Sequence, residues 1–111
     1  MKKIHIAVGV LDIPSSVKDY SHRLGCLPVV VIPNEYALWR TATINFSIRR
    51  DSKTPGMLRH LGWEDLSVSE FTQEKDINGI TWERFNAEHQ AKEIKDTWPQ
   101  SNYVPNNEKK E

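Results

Sequence analysis

The sequence predicts an α+β fold, and three observations carry that prediction. The opening stretch IHIAVGVLDIPSSVKDYSHRLG, from Ile4 to Gly25, passes from period-two alternation to helical spacing. The same pattern returns at LRHLGWEDLS, from Leu58 onward. Between and after these openings lie short β-branched or alternating runs, set apart by proline, asparagine and glycine.

In the first strand Ile4, Ile6, Val8 and Val10 share one face, and His5, Ala7 and Gly9 the other. Asp12-Ile13-Pro14-Ser15-Ser16 is a helix-start signal, Val17, Tyr20 and Leu24 lie along one helical side, and Gly25 is a stop. Leu27 to Ile32 is a second strand, closed by Pro33-Asn34, and Tyr36 to Thr41 a third. The run from Thr43 to Ile48 alternates: Ile44, Phe46 and Ile48 point to the core, while Thr43, Asn45 and Ser47 point to solvent or to a polar cavity. Arg49 to Gly56 is charged and punctuated, which suits a connection within the domain. In the next strand Leu61 and Trp63 oppose His60, Gly62 and Glu64. Asp65-Leu66-Ser67 then leads into a predicted helix carrying Val68, Phe71 and Lys75, closed by Asn78-Gly79. Thr81 to Asn86 makes a sixth strand and Lys92 to Trp98 a seventh. A histidine-bearing strand, an acidic turn, a serine-started helix and a closing glycine thus occur twice in one order, which predicts an internal duplication.

With 111 residues the chain fits one domain over 1–104, with a first module at about 2–50, a shortened second at about 57–104, and a polar tail at 105–111. Fifteen basic and fifteen acidic residues cancel, so no global field recruits nucleic acid or an acidic membrane. A lone cysteine, Cys26, permits no internal disulfide and suits a reducing compartment. The apolar start is broken by His5 and ends without a small-residue cleavage pattern, and no run reaches membrane-spanning length. These features predict a cytoplasmic protein.

The opening HIAV, the D-I-P-S-S helix entry, Tyr20 followed by Leu24-Gly25, and the second entry H-L-G-W-E stand in an order that is itself informative. On them the chain, from Lys3 to about Trp98, resembles the vicinal oxygen chelate superfamily, which includes glyoxalases, fosfomycin- and bleomycin-resistance proteins and extradiol dioxygenases. The resemblance implies paired βαβββ modules and a curved mixed sheet around a cavity, with helices on the outer face and often a homodimer. Metal-dependent members place a histidine on the first strand of each module and carboxylates on later strands. Residue by residue, the histidines match His5 and His60, whereas the carboxylate positions fall on Asn45 and near Tyr103. The leading expectation is therefore binding of a small apolar or aromatic molecule, with little metal retained. One alternative is a metal-dependent lyase, transferase or dioxygenase that uses His5, His60 and a third ligand from elsewhere. A non-catalytic interaction domain is the other.

Two neutral imidazoles facing one cavity suit a divalent cation, though a stable site wants a third ligand. Glu64, on the face of His60, and Glu83, on the next strand, are the candidates for that ligand or for a general base. Asn45 and Ser47 are candidate ligand-orienting groups on the cavity face. Trp39 and Trp82 are candidates for stacking on a planar ligand, whereas Trp63 belongs to the core by strand parity. His22 and His89 are expected at the surface, and Cys26 as a buried structural thiol. An unprotected sheet edge and tryptophan surface predict a homodimer.

Overall fold

The alternation at the start of the chain builds β1 (Lys2–Val10) in the computed structural model, which describes residues 2–105. The helix α1 (Ile13–Leu24) follows at once. Asp12 caps it by accepting the Ser15 N–H, and Gly25 ends it at φ 76°, a left-handed conformation that glycine adopts without a Cβ clash. Next come β2 (Val30–Ile32), β3 (Tyr36–Arg40) and β4 (Ile44–Arg50), then β5 (Leu58–Asp65), β6 (Thr72–Lys75) and β7 (Thr81–Phe85), and finally α2 (Ala87–Thr97). The strands form one mixed sheet in the order β2-β3-β4-β1-β5-β7-β6, which does not close into a barrel. The predicted α+β class holds. The tail expected at 105–111 lies outside the described residues beyond Pro105.

The two helices cover opposite faces. On the outer face, α1 packs Ile13, Val17, Tyr20 and Leu24 against Val10, Ala37, Trp39 and Ile48. On the inner face Ile94 of α2 packs against Ile32, Tyr36 and Leu38, with Trp98 and Tyr103 beside them. Because α1 shields only the Val8–Val10 end of β1, Ile4 and Ile6 are half-buried, while Lys3, His5 and Ala7 on the other face are buried. The polar face of the sheet is thus the more enclosed one.

The expected duplication holds only in the sheet. β4 runs parallel to β1, and β7 runs parallel to β5, each being the last strand of an antiparallel hairpin. The helix expected at 65–79 is absent, and β6 occupies part of that stretch. Topology explains this. From its pairings β2 runs parallel to β1, and a parallel return needs a crossover, which α1 supplies. From its pairings β6 runs antiparallel to β5, so the chain re-enters at the same end through a short loop. The strand expected at Lys92 to Trp98 is the C-terminal half of α2. Asn86 starts that helix with a capping box, in which its side chain accepts the His89 N–H and His89 Nδ1 accepts the Asn86 N–H. Its place on the inner face departs from the outer-face helices that the resemblance implied.

Candidate metal centre

Strand register lays a polar row across the inner face. Arg40 of β3 stands opposite Asn45 of β4, Asn45 opposite His5 of β1, His5 opposite Gly62 of β5, and Gly62 opposite Glu83 of β7. Gly62 is the gap in this row. A Cβ built there would run into the Glu83 carbonyl oxygen, so no other residue allows β7 this close approach. Into the space above Gly62 lean His5, His60 and Glu83.

The three side chains offer ligand atoms that all lie within 4.8 Å of one another. His5 Nε2 is 3.0 Å from His60 Nε2, and His60 Nε2 is 3.2 Å from Glu83 Oε1. On the far side of its ring, His5 Nδ1 meets Asn45 Oδ1 at 2.9 Å and the Asn45 carbonyl at 3.2 Å. Both partners are acceptors, so Nδ1 carries the proton and the lone pair of Nε2 points at the cluster. The Asn45 amide is itself fixed, donating to Glu64 Oε1 and Gln90 Oε1 at 2.8 Å each and accepting from Gln90 Nε2 at 3.2 Å. A hydrogen-bonded carbonyl behind an imidazole is the usual outer support of a metal-ligating histidine.

Burial decides the charge of the cluster. It lowers the His5 pKa, and it lowers His60 to about 4, with the neighbouring His5 and Arg59 adding to the effect. Burial, with Glu93 adding, raises Glu83 to about 7. Between about pH 4.5 and 6.5, folded His60 lacks a proton that the unfolded chain holds, so its contribution to stability rises with pH. Across the same window folded Glu83 holds a proton that the unfolded chain has lost, so its contribution falls with pH. The two slopes oppose each other and leave two neutral imidazoles beside a neutral carboxyl. A cation placed among these atoms would favour loss of the Glu83 proton and use both imidazole lone pairs.

A cavity of about 150 Å³ lies over the cluster, between the sheet and α2, and His5, His60, Glu83, Ser47, Tyr36 and Gln90 help to line it. Asn45 stands behind His5 as its support, and Ser47 lines the cavity in contact with Tyr36. Glu64 does not reach the cluster. It forms a buried two-pronged ion pair with Arg40, at 3.0 and 2.6 Å, and its remaining contact is with Asn45, so it is no candidate base. Trp39 is wholly buried on the outer face, where its N–H donates to Ser21 Oγ. Trp82 shares the outer side of Leu61 and donates to Asp76 Oδ2. Neither tryptophan faces the cavity. Tyr103 packs in the α2 core rather than at a ligand position. His22 is exposed as expected, Cys26 is half-buried against the outer core, and His89, expected at the surface, lines the cavity.

Fold and site together describe an α+β protein with a two-histidine, one-carboxylate group that could hold a metal ion at the floor of a polar cavity. No protein-family model matches this sequence, and no curated protein matches it. No helix among the described residues is long and apolar enough to cross a membrane.

Proposed function

We propose that this chain binds a divalent cation through His5, His60 and Glu83 and uses it in metal-dependent chemistry on a small ligand in the cavity above. The observation that carries this reading is the convergence of the three ligand atoms, with the His5 tautomer fixed by Asn45. The donor set, two imidazoles and one carboxylate with ligand atoms within 4.8 Å of one another, fits a hard-to-borderline cation. Two-histidine, one-carboxylate sites that leave coordination positions open are typical of Fe(II) oxygenases, and the same donors take Zn or Mn. When bound, such an ion polarises a ligand oxygen or lowers the pKa of a water. The chain's own share is to hold both imidazoles neutral, to supply the one anionic donor, and to shield the cavity with α2. His89 joins that wall with its Nδ1 accepting the Asn86 N–H in the capping box.

The polar lining and the orientation of Trp39 and Trp82 favour this reading over a pocket for an aromatic molecule. Membership of the vicinal oxygen chelate superfamily belongs to the same proposal. It is supported by the parallel β1–β4 and β5–β7 pairs about the antiparallel β1–β5 centre, with the second module reduced to three strands. Calorimetric titration of chelator-treated protein with Zn(II) tests the metal reading. One equivalent binds, and the affinity falls about tenfold per pH unit below pH 7, because the Glu83 proton must leave. Absence of saturable binding, or binding indifferent to pH between 5 and 7, would contradict it.

Among the described residues no helix covers the outer face of β5 and β7, and Trp63 and Trp82 are only half-buried there. A homodimer formed over this face is the corresponding proposal on assembly. Sedimentation equilibrium reports a dimer on this reading, and a monomer at high protein concentration would refute it.

A further inference from the structure

Six arginines occur in the chain, and four of them, Arg23, Arg40, Arg50 and Arg84, form ion pairs. The remaining two, Arg49 and Arg59, have no carboxylate within salt-bridge distance among the described residues, and both line the cavity over His5, His60 and Glu83. Each is brought there by a specific feature of the fold. Arg49 continues the inward face of β4 after Asn45 and Ser47, and its guanidinium lies over the Trp98 ring at 5.2 Å. Trp98 in turn lies against Tyr36, at 4.9 Å between ring centres. This stack holds the cation by its face, and its in-plane N–H donors have no partner among the described residues. Arg59 is the extra residue of a β-bulge: Ala7 pairs with His60 and Val8 with Leu58, and Arg59 between them has no partner on β1. A bulge re-aims a side chain, and here it turns Arg59 toward the cavity, although simple alternation would set it opposite to His60.

We propose that Arg49 and Arg59 form an anion subsite, and that the ligand of the cavity is a small organic carboxylate whose remaining oxygen faces the His5–His60–Glu83 group. The inference rests on the metal reading above for the second half of that statement only. Paired guanidinium forks match the two oxygens of a carboxylate. Glu93 from α2 also lines the cavity, so with Glu83 protonated the two arginines outweigh it, and a divalent cation that displaces the Glu83 proton widens the excess of positive charge for an anion to offset. A cavity of about 150 Å³ takes in about six non-hydrogen atoms, the size of benzene or of a three-carbon hydroxy acid, so a ligand of that size serves as the probe.

The test compares binding of lactate, its neutral isostere lactamide, and inorganic phosphate, to the full chain with and without one equivalent of Zn(II). Lactate is expected to bind at least about tenfold more tightly than lactamide, the scale of one charged hydrogen-bonded pair, and more tightly than phosphate. Arg59→Gln and Arg49→Gln each abolish that preference, while Zn(II) affinity does not fall, since each change removes a positive charge near the cluster, and urea unfolding stays a single cooperative transition. Equal binding of lactate and lactamide, tighter binding of phosphate, or a lactate preference that survives both substitutions overturns the proposal. If Zn(II) fails to bind, the metal reading fails by itself. A lactate preference on metal-free protein that Arg59→Gln removes then still upholds the anion subsite, and its absence overturns it.

Discussion

Replacing Glu83 by glutamine is expected to lower the affinity for a divalent cation by more than about a hundredfold, beyond the usual loss from removing an outer-shell partner. Glu83 is the only anionic donor in the cluster, and two imidazoles alone hold a divalent ion weakly. The substitution keeps the shape of the side chain, and the β5–β7 approach over Gly62 is made by backbone, so the fold is expected to survive. A second signature separates a site effect from a folding effect. Loss of the Glu83 carboxyl removes the contribution that falls with pH and leaves that of His60, which rises between about pH 4 and 6.5. The stability difference, variant minus wild type, therefore rises with pH over the window in which Glu83 titrates, roughly pH 4.5 to 7. Urea unfolding at a series of pH values measures it, and a difference that stays flat would show that Glu83 is not held protonated in the folded cluster.

Arg40→Met is expected to cost about 3–5 kcal/mol of stability, the range found when one partner of a buried ion pair is removed. Arg40 and Glu64 have side-chain exposures of 5% and 4%, and truncation leaves the Glu64 charge enclosed with the Asn45 amide as its remaining hydrogen-bond partner. The loss travels toward the site, because the same Glu64 oxygen that Arg40 Nε holds also receives the Asn45 amide that orients His5. Metal affinity is expected to fall about ten- to hundredfold along with stability, as for other outer-shell partners. Replacing Glu64 by glutamine in the same chain recovers part of the stability, since the enclosed charge is gone. A single-variant cost below about 1 kcal/mol would mean that the pair is solvated and does not organise the site.

Local pattern made half of this site readable from the sequence. Period-two parity in β1, β4 and β5 places His5, Asn45, Ser47 and His60 on one face, and alternation is a property that each strand carries by itself. What parity cannot supply is register between strands distant in sequence. The approach of Glu83 depends on β7 pairing with β5 opposite a glycine, and Glu64, equally acidic and closer in sequence, is taken by Arg40 instead. Arg59 escapes parity for another reason, since a bulge reverses the facing of one residue and leaves no local mark. The stretch after Asp65 has helical spacing in Val68, Phe71 and Lys75, but the antiparallel return of β6 needs no crossover, and tertiary pairing overrides the pattern. The signal for α2 was present: Asn86 followed three residues later by a side chain able to return the hydrogen bond, then mostly good helix formers from Gln90 to Lys95.

Anomalous diffraction from crystals soaked in Zn(II) or Mn(II) shows directly whether His5, His60 and Glu83 hold one ion. One strong anomalous peak is expected within bonding distance of His5 Nε2, His60 Nε2 and a Glu83 oxygen, at about 2.0–2.2 Å from each, with Asn45 still against His5 Nδ1. A fully soaked crystal with no peak among these three side chains, or with its ion held by surface carboxylates alone, would contradict the metal reading.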